Sequence, residues 1–186
     1  MDTIECLLSR KSIRNFTKKK VPDDIIRKLI ECGINAPCGG NNQCWKFIIL
    51  PAEIIDEMRC LVARTDFISV DFFNAPTVIS VIITHTQKFF NKKRYHPIEN
   101  PDYATGFACV QNILLAAHAL GLGACWCKPI PERDRIIRKK LNNDDTIVAN
   151  IAIGYYEESK NPPKPKRKNV NKHILYWGSE KTNVSR

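Results

Sequence analysis

A chain of 186 residues with 44% apolar residues can close one substantial core, and nothing marks a cut into two domains, so one domain over residues 1–186 with a basic extension from about residue 157 is expected. The net charge of +10 is concentrated: residues 10–20 and 159–172 each hold six Lys or Arg and no acid, and the remainder carries 17 basic against 19 acidic residues. This is not the pattern of a uniformly basic nucleic-acid coat, and apolar runs no longer than those such as Val78 to Ile83 are far too short for a bilayer span, so a soluble, cytoplasmic protein without a leader is expected.

Asp2 followed by Glu5 has the form of a helix N-cap, with Ile4, Leu7 and Leu8 making an apolar stripe behind it. A second helix is predicted from near Pro22, with Asp23 and Asp24 in its first turn and Ile25, Ile26, Leu29 and Ile30 at helical spacing, ending before Pro37. Residues 45–50 read as a buried strand, 52–62 as an amphipathic helix through Ile55, Met58 and Val62, and Thr77 to Thr84 as a second strand. Ala104 to Leu120 is apolar almost all round and rich in small residues, which predicts a core helix packed on several sides. Glu132 to Leu141 reads as a charged surface helix and Thr146 to Tyr155 as a final central strand, after which Pro162-Pro163-Lys164-Pro165 forces an extended tail. Strands separated by helices predict a layered α and β architecture.

The eight cysteines are at 6, 32, 38, 44, 60, 109, 125 and 127. In a chain of this size without a secretion signal they are expected to be reduced thiols. There is no Cys-x-x-Cys pair, and Cys125-x-Cys127 is read as an extended segment whose two side chains point oppositely, so no metal is expected. Of the four histidines, His118 lies inside the apolar helix and reads as a packed residue. No Ser/His/Asp or paired-carboxylate set stands out.

Arg10-Lys11-Ser12-Ile13-Arg14-Asn15-Phe16 places two guanidiniums and a hydroxyl within five residues. Arginine's planar fork matches phosphate oxygens and serine adds a hydroxyl donor, so the segment reads as an anion clamp, or else as a solvated basic turn. An anion held between residues 10–20 and 159–172 would account for both basic segments. Three further segments accompany it: Ala36-Pro37-Cys38-Gly39-Gly40-Asn41-Asn42-Gln43-Cys44-Trp45, then Ala108 to Trp126 with its Gly121-Leu122-Gly123 turn, then Ile151-Ala152-Ile153-Gly154-Tyr155.

Together, and in this order over about Met1 to Trp177, these segments resemble the flavin-dependent nitroreductase family. The resemblance implies an α+β nitroreductase-like fold: a central, mainly antiparallel sheet flanked by helices, in a homodimer that exchanges its tails, with Tyr176 and Trp177 as arm anchors. It implies FMN at the dimer interface, with Arg10, Lys11 and Ser12 at the phosphate and Arg14 near the pyrimidine edge, where a fixed positive charge favours the reduced anion. Pro37, Cys38, Gly39 and Asn41 would approach the same flavin from the partner subunit, although Cys38 and Cys44 depart from the serine and proline usual there. A thiol is the weaker donor, which leaves Cys38 its backbone. Gly121 to Lys128, including Cys127 and Lys128, would run past the flavin ring, and Lys164 and Lys166, with Arg167 as the alternate, would close over the phosphate. A glycine-rich connection at 36–43 and a helix terminus followed by a buried strand at 121–128 explain the same residues structurally.

The implied activity is NAD(P)H-dependent two-electron reduction of a nitroaromatic, quinone or similar small molecule by a ping-pong cycle, with the cofactor and not a side chain carrying the chemistry. Residues 85–103, with Phe89, Phe90, Lys92, Lys93, Arg94, Tyr95 and Tyr103, offer a variable pocket rim or a solvated connection. The competing readings are a basic nucleic-acid-binding protein, a thiol redox protein, and a family member with other flavin chemistry.

Overall fold

The computed structural model describes residues 1–62, 74–84, 101–139, 141 and 145–174. In chain order they form α1 (Thr3–Ser9), α2 (Asp23–Ile34), a short turn of helix (Gly39–Asn41), β1 (Trp45–Ile49), α3 (Ala52–Val62), β2 (Thr77–Thr84), α4 (Pro101–Ala119), β3 (Gly123–Cys127), α5 (Pro131–Arg138) and β4 (Asp145–Gly154). Single helical turns lie beyond them at Glu158–Lys160 and Val170–Lys172. The expected 85–100 part of the pocket rim and the Tyr176 and Trp177 anchors lie outside the described residues.

The four strands make an antiparallel sheet in the order β1-β2-β4-β3. Both faces are covered, which is why β2 and β4 read as nearly unbroken apolar runs. On one face Ile79, Val81, Ile83, Ile151 and Ile153 pack under α2 and α4 through Leu29, Val110 and Ile113. On the other, Val78, Ile82, Ala152 and Ile147 meet Ile55 and Met58 of α3, Ile137 of α5, and Ile13 and Phe16. The layers are helix, sheet, helix.

Local signals set the ends of these elements. Asp2 accepts the Glu5 N–H at 2.8 Å and caps α1. At the other end of the core, α4 stops where Gly121 turns to a φ of 74°. There the Leu122 N–H reaches the Ala117 carbonyl at 2.8 Å and the Gly121 N–H reaches that of His118 at 3.0 Å, a Schellman closure that a left-handed glycine permits.

Several expectations are corrected by the packing. Residues 45–50 are not a buried strand: β1 is a sheet edge with Lys46 and Ile49 exposed, because it has a neighbour on one side among the described strands. The core helix α4 packs on several sides as expected, and it leaves Ala104, Phe107 and Gln111 open along one face. The apolar residues of α1 do not enter the core: Ile4, Leu7 and Leu8 are exposed and Cys6 is the buried one. As expected, α5 is a charged surface helix with Arg135 and Arg138 exposed, and it turns Asp134 and Ile137 inward. Cys125 and Cys127 do not point oppositely; strand side chains repeat every second residue, so both face α3 and α5. No disulfide forms among the described cysteines. Among the described residues no group of three His, Cys, Asp or Glu is placed to hold a metal, and no helix is long and apolar enough to cross a membrane.

Candidate functional site

Residues 10–17 leave α1 as an extended strap across the sheet. The Ile13 N–H bonds to the Ala124 carbonyl at 3.0 Å and the Thr17 N–H to that of Tyr155 at 2.8 Å, so the strap is stitched to β3 and to the end of β4. Ile13 and Phe16 drop into the core beneath it. The approach is close enough that a Cβ at residue 123 would stand 2.7 Å from an Ile13 methyl, so this crossing requires Gly123. Ile13 and Phe16 are turned inward, Arg14 is exposed, and Arg10 and Ser12 are half-buried.

The second basic segment comes to meet them. After Gly154 the chain makes one helical turn and then runs through Pro162-Pro163-Lys164-Pro165 beside the strap. The Lys11 ammonium, 9% exposed, pairs with Glu158 and donates to the Pro162 carbonyl at 2.9 Å. Lys164 donates to the Leu8 carbonyl at the end of α1. Two adjoining cavities result. The smaller, about 120 Å³, is walled by Arg10, Lys11, Ser12, Arg14, Lys164 and Arg167 together with Pro162, Pro163 and Pro165. The larger, about 310 Å³, shares Arg10, Lys11, Pro163 and Lys164 and extends over Ile13, Leu122 and Ala124 to His118 and Tyr156. A pocket with so many cations at its narrow end and apolar surface beyond suits a molecule that carries an anion at one end.

Two titratable groups register the field of this clamp. Cys125 is buried beneath the strap, yet its pKa falls from 9.0 to about 7. A hydrogen bond from Cys127 contributes most, and Arg14, Ser12 and Arg10 add to it against the cost of burial. His118, at the end of α4, sits with Nε2 2.7 Å from the Ser9 hydroxyl, which in turn lies 2.6 Å from the Glu5 carbonyl. A hydroxyl has one proton, and given to Glu5 it leaves His118 Nε2 as the donor to Ser9. Burial, then Arg10 and Lys164, push the His118 pKa below its ordinary value over the opposing pull of Glu158 and Glu5.

The remaining candidates stand apart from the clamp. Pro37, Cys38, Gly39 and Asn41 belong to the α2–β1 connection and line neither cavity. That connection is tightly wound, with φ of 60° at Gly40, 50° at Asn41 and 48° at Gln43, and it is closed by the Gln43 N–H donating to Cys38 Sγ at 3.1 Å. Its Asn42 amide reaches Asp102 of α4 at 3.4 Å. Cys127 is buried at the end of β3, Lys128 is exposed just beyond it, and Lys166 is not in the wall of the cavity that Lys164 and Arg167 line.

Two members of the assembly escape a reading of the sequence: Asn161, whose partners in the strap are 146 and 147 residues away, and Ser9, bonded to a histidine 109 residues on. Nothing local marks Ser9. For Asn161 the available hint is its place beside two prolines.

A helix–sheet–helix domain with a cation-lined pocket between an N-terminal strap and a C-terminal tail defines the class, and the chain belongs to the nitroreductase family, whose model matches residues 7–65 and 61–155. A protein of Methanothermobacter thermautotrophicus, provisionally named NADH dehydrogenase/NAD(P)H nitroreductase, is 28% identical over 163 residues, covering 86% of this chain and 80% of its own length. A provisionally named nitroreductase of Desulfovibrio desulfuricans, solved in complex with FMN, is 27% identical and superposes with a TM-score of 0.74 over 97% of this chain and 99% of that one. A nitroreductase-like protein of Bacillus cereus, 22% identical, shares the fold with a TM-score of 0.76 over 96% and 97% of the two chains.

Proposed function

We propose that this protein is an NAD(P)H-dependent flavin oxidoreductase that holds FMN by its phosphate between the strap and the tail. The observation that carries the reading is the convergence of Arg10, Ser12, Arg14, Lys164 and Arg167, drawn from the two ends of the domain, on one cavity. The donor set fits the group: guanidiniums and a hydroxyl suit a phosphate dianion. The apolar floor of Ile13, Leu122 and Ala124 next to it suits the remainder of such a molecule.

FMN would supply hydride acceptance and donation. The chain's own residues then have three tasks. Arg10, Ser12, Lys164 and Arg167 would bind the phosphate, Arg14 beside them in the same cavity would add positive charge at that end of the molecule, and the strap would exclude water from the floor. Pro37, Cys38, Gly39 and Asn41 line neither cavity within one chain, and in this reading they complete the site of a second copy. The exposed Ile4, Leu7, Leu8, Phe107 and Trp126 support a homodimer, since so many large apolar residues are costly to leave in water. The reductant and a nitroaromatic, quinone or similar acceptor take turns in one pocket, which gives ping-pong kinetics.

The purified protein, loaded with FMN, is expected to show flavin absorption at near-equimolar content that bleaches on anaerobic addition of NADPH or NADH and returns with a quinone. A protein that takes up no FMN overturns the reading.

A further inference from the structure

Asn161 lies in neither cavity wall, yet it is the buried side chain that joins the two halves of the clamp. Its carbonyl oxygen accepts the N–H groups of Arg14 and Asn15, both at 3.0 Å. Its amide nitrogen donates to the carbonyls of Asn15 at 2.9 Å and Glu157 at 3.1 Å. A primary amide has two acceptor sites and two donor protons, and all four are used. The other contacts between the halves differ in kind. Lys11 pairs with a Glu158 side chain that is 70% exposed and donates to the Pro162 carbonyl at 2.9 Å, and Lys164 reaches the Leu8 carbonyl, both through long flexible stems. Solvent and side-chain entropy weaken both.

The stretch just C-terminal to Asn161 matters as much as the contacts of its amide. Prolines at 162, 163 and 165 fix the backbone between it and the tail cations. A stiff segment transmits the position of its anchored end, so the anchor at 161 determines where Lys164 and Arg167 stand relative to Arg14. Residue type is constrained accordingly: an ionised carboxylate could not donate to the two carbonyls.

We propose that Asn161 is a positioning residue that keeps the strap and the proline-stiffened tail in register, so that capture of a phosphate depends on it although it touches no part of the ligand. The inference rests on the flavin reading. It predicts a loss confined to the phosphate end of the ligand, which a general weakening of the fold would not produce.

The test compares equilibrium binding of FMN and of riboflavin, which lacks the phosphate, to the full chain and to Asn161→Ala. FMN affinity is expected to fall roughly tenfold or more, as when a buried hydrogen-bonded group loses its partner. Riboflavin affinity is expected to change less than about threefold, so the preference for FMN collapses. Equal losses for both ligands, or no loss for FMN, would overturn the positioning role while leaving the flavin reading intact. Failure of the unsubstituted chain to bind FMN would overturn both. Should the alanine variant not fold, Asn161→Ser, which keeps one hydroxyl acceptor for the strap amides, serves the same comparison with the same criteria.

Discussion

Cysteines are buried on both faces of the sheet, and the two faces treat them oppositely. Under α2 and α4, burial pushes the thiols of Cys44 and Cys109 up to about 12, with Asp102 adding to the effect at Cys44. Under the strap, Cys125 is buried to the same degree and comes down to about 7. Burial raises all three, so the difference lies in what surrounds them: Cys125 is lowered first by a hydrogen bond from Cys127 and then by Arg14, Ser12 and Arg10, whereas Cys109 sits among apolar side chains and Cys44 also meets Asp102. The contrast marks the strap side as the one where cations reach a buried thiol, with Arg14 and Arg10 adding to the hydrogen bond from Cys127.

The largest effect should come from removing the roof. Arg10→Ala takes away a guanidinium that lines both cavities, and FMN affinity is expected to fall roughly 100-fold, as for loss of charge-assisted bonds to a dianion. A direct titration of FMN measures it. The same substitution should raise the Cys125 pKa only slightly, since Arg10 is the smallest of the influences that lower it and the hydrogen bond from Cys127 persists, and a pKa that fell instead would break the link between thiol and clamp.

The stability of the fold should carry the same signature in its pH dependence. Between about 7 and 9 the unfolded chain keeps the Cys125 proton that the folded one has released, so stability rises with pH there, by at most about 1.4 kcal/mol per unit. Above 9 the sign reverses, since the folded chain retains the protons of Cys44 and Cys109 that the unfolded one gives up, and their contribution is lost as pH climbs towards about 12. Denaturant midpoints for the unsubstituted chain and Cys125→Ala should diverge from pH 7 to 9; parallel curves would mean that the two faces do not differ.

Gly123→Ala probes the strap by geometry instead of charge. The added methyl would meet Ile13 at 2.7 Å, and overpacking of this kind costs about 1–3 kcal/mol. Because the crossing holds Arg10 and Arg14 in place, FMN affinity should drop as well, whereas a variant that is destabilised but binds FMN normally would separate the strap from the site.

Much of the contrast between the faces is legible in the sequence, and most of what is not has a common cause. Apolar periodicity locates α2, β2 and β4, and the Asp2 cap and Gly121 turn mark helix ends, because those signals are local. Two acid-free basic segments announce the two halves of the clamp. The edge position of β1, the open face of α4 and the exposure of Leu7 and Leu8 depend on which elements become neighbours, and composition does not encode that. Asn161 is the extreme case, since all its meaning lies in the strap it holds. The orientation of Cys125 and Cys127 is different: a strand period of two puts both on one face, so the correction there needs no tertiary information.

The smallest expected effect concerns His118, which stands where the two faces meet, at the end of α4 and in the wall of the larger cavity. Arg10 and Lys164 face it from the strap and the tail, and they depress its pKa beyond what burial does, while Glu5 and Glu158 pull the other way. A bound phosphate would offset the two cations, so the pKa should rise on binding and FMN capture should take up a proton. By linkage, affinity then tightens as pH falls through the depressed pKa, although protonation of the FMN phosphate itself acts in the opposite sense over a similar range. The ratio of FMN affinities for the unsubstituted chain and His118→Gln cancels the ligand's own titration. That ratio should grow as pH drops from about 7 to about 5.5, by about twofold to fivefold, in line with a modest shift between charges screened by water. A ratio independent of pH would mean that His118 serves only to bond Ser9 and that the field of the clamp ends before it reaches α4.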